Sequence, residues 1–212
     1  MCVIVVQKNK FPGWDVLKNC WEHNPDGAGY MYRKNDSIVI SKGYNNFEDF
    51  KRSVESIKDY KNVPIVYHFR IATHGTVVPE NTHPFPLTNK VKNLKALDLT
   101  CPCGIAHNGI INGNMYDNQE RLRYNLSDTG QFIREITNMA TKDGYISKNS
   151  ILTQLRVENK LSGSRFVMFD KKDLYMIGKF YEIDGCWYSN NHSHTPIVRY
   201  YNRYYGGRVY EG

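Results

Sequence analysis

Residues 2–7 read Cys2-Val3-Ile4-Val5-Val6-Gln7, four β-branched side chains in succession behind a cysteine. β-Branched residues favour extended backbone, and an apolar run without polar alternation marks a buried strand. No charged segment precedes the run and no small-residue cleavage pattern follows it. It is therefore expected as the first strand of a domain and not as a signal peptide. A second run, Val63-Pro64-Ile65-Val66-Tyr67-His68-Phe69-Arg70, has the same β-branched and aromatic character and is expected as a central strand.

Around these two strands the period of the pattern changes. A short helix is expected over 12–22, followed by the turn His23-Asn24-Pro25-Asp26-Gly27 and strands over 28–33 and 37–41. Phe47, Phe50, Val54 and Ile57 fall at helical spacing behind Asn46, a good N-cap, so 46–60 is expected as helix. Residues 72–100 are weakly periodic and rich in Pro, Asn and Lys, the character of a long loop that is either functional or disordered. A short strand over 104–107 runs into a glycine-rich turn. Phe132, Ile133, Ile136 and Met139 recur at helical spacing behind Asp128, which is expected as the N-cap, and 148–158 is expected as another helix. Strands over 165–170, 173–179 and 181–188 follow. With no internal repeat and no linker, this order predicts one α+β domain over 1–212, layered on antiparallel sheets.

The 212 residues are 41% hydrophobic and 23% charged, the balance of a soluble globular protein. No apolar run reaches the roughly 18 residues that crossing a bilayer requires, so no membrane association is expected. Five cysteines at irregular spacing (Cys2, Cys20, Cys101, Cys103, Cys186) argue against a disulfide framework and for a reducing, cytoplasmic setting. The formal net charge of +7 is spread along the chain, which reads as a solvated basic surface and not as a nucleic-acid footprint.

Four places carry chemistry. Trimming of Met1 would leave Cys2 with a free α-amine beside its thiol, and an amine of pKa ~8 accepts a thiol proton without a histidine. Taken alone, Cys2 reads as a small apolar residue opening a strand. Arg70, with Thr73 and His74 after it, offers a planar fork and further donors to a carboxylate; alone it reads as a surface arginine ending a strand. Asn108-Gly109 sets a side-chain amide beside an unobstructed glycine N–H, two donors for a tetrahedral oxyanion, although an Asn-Gly pair is also a common hairpin turn. Asp128 is either a helix cap alone or a carboxylate placed to hold an ammonium group.

In this order, Cys2, HFRIATHG (68–75), NTHPF (81–85), HNGIIN (107–112) and SDT (127–129) closely resemble the class II glutamine amidotransferases. These belong to the N-terminal-nucleophile hydrolases. The turn NPDGAGY (24–30) resembles the family's glycine-rich segment after the first helix. The resemblance implies a four-layer αββα sandwich and a glutaminase-type acyl transfer. Cys2 would be the nucleophile and its α-amine the base, with Asn108 and Gly109 as the oxyanion site. Arg70, Thr73 and His74 would bind the glutamine α-carboxylate, and Asp128 with the Gly109 carbonyl its α-ammonium. His83 and His107 would support the site. Glutamine is the implied substrate, the ammonia is either passed to a separate synthetase or released, and no cofactor is implied.

Three features depart from the family. Val3 stands where glycine usually follows the nucleophile, adding a side chain near it. His23 replaces an arginine that many members carry. Classical members also continue into a second domain that uses the ammonia. The motifs specify the amino-acid end of the substrate better than its leaving group, so another γ-glutamyl amide is an alternative substrate. A catalytically silent binding module on the same fold is the reading from another class.

Cys101-Pro102-Cys103 with His107 invites a zinc reading, but the C-x-C spacing is poor, a fourth ligand is not evident, and no metal is assigned. Tyr188-Ser189-Asn190-Asn191 with His192 and His194 reads as a loop, although family members often place a polar strand end near the site here. The tail 199–208 mixes arginine with tyrosine and reads as an edge strand or packed tail, not as a base-stacking surface.

Overall fold

The computed structural model describes residues 2–72, 77–111, 118–142 and 145–191. Its first half runs β1 (Val3–Gln7), α1 (Trp14–His23), β2 (Ala28–Lys34), β3 (Ser37–Tyr44), α2 (Phe47–Glu55) and β4 (Ile65–Phe69). After a 3-10 turn (Pro79–Asn81) come β5 (Phe85–Pro86), α3 (Val91–Lys95), β6 (Asp98–Cys101), β7 (Cys103–Asn108), α4 (Asn118–Tyr124) and α5 (Asp128–Ala140). A small hairpin, β8 (Thr141–Lys142) and β9 (Tyr145–Ile146), leads to α6 (Lys148–Ser162). The last described elements are β10 (Arg165–Asp170), β11 (Leu174–Ile177), β12 (Tyr181–Ile183) and β13 (Cys186–Tyr188).

Seven strands form one antiparallel sheet in the order β12-β13-β1-β4-β2-β3-β6, and four form a second in the order β11-β10-β7-β5. The side chains of β1 show how the layers stack. Val3 and Val5 face Leu17 and Cys20 of α1 and Phe50 and Val54 of α2, in an outer core that also holds Tyr67 and Phe69. Ile4 and Val6 point the other way, into a core between the sheets with Val66, Ala106, Val167 and Phe169. On the far side of the second sheet, Ile105, Phe166 and Met168 pack on Phe132, Ile133 and Ile136 of α5 and Ile151 and Leu155 of α6. Helices, sheet, sheet, helices: this is the four-layer αββα sandwich.

The unbroken apolar run of β1 follows from that stacking. A strand covered on both faces has no solvent side on which to place polar residues, and Val3 to Val6 are fully buried. Each such side chain contributes roughly 1.5–3 kcal/mol relative to exposure.

Several expected boundaries move. The helix expected over 46–60 is α2, capped as expected by the Asn46 side chain but ending at Glu55. The helix expected over 148–158 runs on to Ser162, where Gly163 ends it in the left-handed conformation. The segment expected as a loop over 72–100 contains β5, α3 and β6, and α4 was not anticipated. The N-cap of α5 is Ser127, whose hydroxyl accepts the Gly130 N–H at 3.0 Å. Asp128 is therefore the first helical residue and not the cap: the serine hydroxyl takes the open amide three residues on, and the Asp128 carboxylate accepts the Ile111 N–H instead. Among the described residues, no helix is long and apolar enough to cross a membrane.

Candidate active site

The antiparallel register sets Val3 of β1 opposite Phe69 of β4, so Cys2 and Arg70 leave the sheet side by side. Cys2 is held at both ends. Its carbonyl accepts the Asn190 side-chain N–H at 2.7 Å, and its thiol lies 3.5 Å from the Ile71 carbonyl. Burial raises the thiol above its ordinary value while the nearby Arg70 charge pulls the other way. The thiol is thus kept protonated near neutrality and needs a base to become a nucleophile. The side chain of Val3 turns into the outer core beneath α1 and α2, on the opposite face from Ile4.

The turn 24–30 fixes the backbone of Arg70. Arg70 N–H donates to the Gly27 carbonyl at 2.8 Å and its carbonyl accepts the Asp26 N–H at 3.0 Å. Two residues further on, the Asp26 carboxylate accepts the Ala72 N–H at 2.8 Å. Gly27 (φ 135°) lies so close to Thr82 that an added Cβ would sit 2.9 Å from its hydroxyl. A side chain there would push apart the segments that the turn joins.

Asn108 ends β7, fully buried, with Nδ2 at 2.8 Å from Ser189 Oγ. Gly109 follows with φ 150°, and a Cβ on it would meet Ser164 Oγ at 2.4 Å and Ser164 Cα at 2.9 Å. Only glycine fits both the backbone angle and the space. The Asp128 carboxylate accepts the Ile111 N–H at 3.3 Å and the Thr129 N–H at 2.7 Å.

Three buried histidines stand behind these groups. His68 Nε2 lies 3.0 Å from the His107 carbonyl and 2.8 Å from His83 Nδ1. A carbonyl only accepts, so the proton is on His68 Nε2 and is shared between the two; His83 Nδ1 accepts and its own proton sits on Nε2. His107 Nδ1 pairs with Thr129 Oγ1 at 2.8 Å. Burial drives all three below the ordinary histidine value, His68 to about 3, His107 to about 4 and His83 well below it. They are neutral, and they brace the site without supplying charge.

The segment 79–95 is tied down by Lys42 of β3. Its ammonium donates to the Glu80 and Leu94 carbonyls, each at 2.8 Å, and lies 3.8 Å from the centre of the Phe85 ring. From this segment Asn81 Oδ1 accepts the Ser127 N–H at 2.9 Å, joining it to the start of α5.

Cys2, Arg70, His83, His107, Gly109 and Asp128 all line one pocket, together with Ala72 and Thr129. The structure thus brings together most of the residues that the motifs singled out. Asn108 adjoins the pocket through Gly109 but is not on its wall. Thr73 and His74, Asn112, Met1, His192, His194 and the tail lie outside the described residues. Among described residues, Asp26, His68, Lys42, Ser189 and Asn190 went unremarked or were read as turn, strand or loop. The one sequence signal for the last two was the polar end of the final strand.

Solved structures share this fold. The glutamine phosphoribosylpyrophosphate amidotransferase of B. subtilis, complexed with ADP and GMP, matches 89% of this chain with a TM-score of 0.54 at 13% identity. A structure of the allosteric regulatory enzyme of purine biosynthesis matches 89% with a TM-score of 0.54 at 14% identity. This chain spans 41% of the length of each of those chains. No family model and no curated protein matches the sequence.

Proposed function

We propose that this chain is a glutamine amidotransferase-type glutaminase, a single domain that hydrolyses the side-chain amide of glutamine through Cys2. One observation carries the reading: a thiol, a guanidinium and a carboxylate (Cys2, Arg70, Asp128) line the same pocket. An α-amino acid is the complement of that set. Its carboxylate suits the planar fork of Arg70, its ammonium suits Asp128, and its side chain is then directed at sulfur. The fold shared with an amidotransferase supports the same reading.

In this mechanism Met1 is removed and the freed α-amine of Cys2 takes the thiol proton, since burial keeps the thiol protonated at rest. The sulfur attacks the δ-carbonyl carbon of glutamine. The oxyanion is held by the Gly109 N–H and the Asn108 side-chain amide, each such donor worth roughly 3–4 kcal/mol in the transition state. The amine returns its proton to the leaving nitrogen, ammonia departs, and a γ-glutamyl thioester remains on Cys2. Water adds to the thioester and restores the thiol with release of glutamate. The ammonia passes to a separate synthetase or escapes.

Incubation with the diazo-ketone analogue of glutamine, followed by peptide mass spectrometry, tests this directly. The expected result is one covalent adduct, on Cys2, absent from Cys2→Ala and suppressed by excess glutamine. An intact mass that retains Met1, or labelling confined to another cysteine, overturns the proposal.

A further inference from the structure

Ser189 follows β13 and is fully buried. It is bonded on two sides to the strand that carries the nucleophile: its N–H donates to the Ile4 carbonyl at 3.0 Å, and its hydroxyl oxygen accepts the Ile4 N–H at 2.8 Å. The same oxygen lies 2.8 Å from Asn108 Nδ2. In this arrangement two N–H groups converge on one hydroxyl, and Asn108 Oδ1 is buried with no hydrogen-bond partner among the described residues. A half-turn of the amide about its Cβ–Cγ bond exchanges oxygen for nitrogen and removes the mismatch. The Ser189 hydroxyl then accepts from Ile4 and donates to Asn108 Oδ1, so that its own proton has an acceptor, and Asn108 Nδ2 takes the position that has no partner among the described residues.

We propose that Ser189 is a positioning residue that selects this second amide orientation and so aims Asn108 Nδ2 away from itself as an oxyanion donor. The inference rests on the reading of Asn108 as part of the oxyanion site. A serine hydroxyl is suited to the task because its one proton is left for Oδ1 once its oxygen is occupied by the Ile4 amide. The amide therefore cannot return without giving up that bond. The contact also links β1, β7 and the end of β13, three elements far apart in sequence.

A double-mutant cycle on glutamine turnover separates this idea from the reading beneath it. Ser189→Ala is expected to lower kcat roughly tenfold or more with KM little changed, because the donor becomes free to rotate. In an Asn108→Ala background the same substitution is expected to cause no further loss, since the group it orients is gone. Losses that add in the double variant would overturn the positioning role while leaving the glutaminase reading intact. Asn108→Ala at full kcat would overturn the oxyanion assignment itself. Nuclear Overhauser contacts of the Asn108 side-chain NH2 in the unsubstituted protein give an answer that requires no turnover. Contacts to the Gly109 amide are expected, and strong contacts to the Ser189 β-protons would refute the proposed orientation.

Discussion

The Asp26 carboxylate accepts the backbone N–H of Ala72 at 2.8 Å, across 46 residues of sequence. With the two backbone bonds between 26–27 and Arg70, it makes the turn after α1 a clamp on the segment that presents the guanidinium. Asp26→Ala removes a charge-assisted hydrogen bond worth roughly 1.5–3 kcal/mol. Glutamine KM is expected to rise by about tenfold or more, with kcat less affected. An unchanged KM would show that the clamp has no bearing on the substrate.

Arg70→Lys keeps the charge and loses the fork. A single ammonium does not reproduce two parallel N–H···O bonds, so KM for glutamine should rise roughly tenfold or more while Cys2 remains reactive toward a small alkylating agent. Steady-state kinetics beside a thiol-labelling rate decide it, and a variant with the parent KM removes Arg70 from the carboxylate site.

Gly109→Ala should be among the most damaging single-methyl additions in the molecule. The new Cβ would fall 2.4 Å from Ser164 Oγ and 2.9 Å from its Cα, at a backbone angle of φ 150°. A cost on the order of 1–3 kcal/mol is expected from the backbone angle alone, with the collision added. Urea denaturation measures it. A midpoint equal to that of the parent protein would contradict the packing described for the 108–111 turn.

The buried histidines give stability a pH dependence of definite sign. In the unfolded chain each takes up a proton near 6.5, whereas in the folded protein His107 does so only at about 4 and His68 at about 3. Between these values the unfolded state binds more protons. Stability is therefore fully present above about pH 6.5 and is lost as pH falls, by about 1.4 kcal/mol per pH unit for each histidine. Urea midpoints measured from pH ~7.5 down to ~5 should decline, and a flat series would mean that the rings are already charged or exposed.

What the sequence made legible follows from how local each signal is. Val3 to Val6 announce a strand buried on both faces because four adjacent side chains carry the message, and Asn46 announces a helix start for the same reason. Asp98–Cys101 carries no such message. As an edge strand it alternates between exposed and covered positions, and its place is set by pairing with β3 far upstream. The Asp128 cap was misplaced by one residue because Ser127 and Asp128 are both good caps, and only the backbone geometry chooses between them. Cys2, Arg70, Gly109 and Asp128 were singled out because the motifs that hold them resemble a known family in their order, and all four line one pocket. Ser189 and Lys42 were not, since a serine after a strand and a lysine within one are ordinary until the partners they meet across the fold are known.

The position of β1, flanked by β4 on one side and β13 on the other, sets an order of events during synthesis. Its pairing with residues 65–69 is available early, as the ribosome delivers them, but its other edge and the Ser189 contact wait for residues 186–190. Translation thus leaves β1 with one unpaired edge until nearly all of the described chain has emerged, and a message cut short before that point yields a protein with an open, sticky strand.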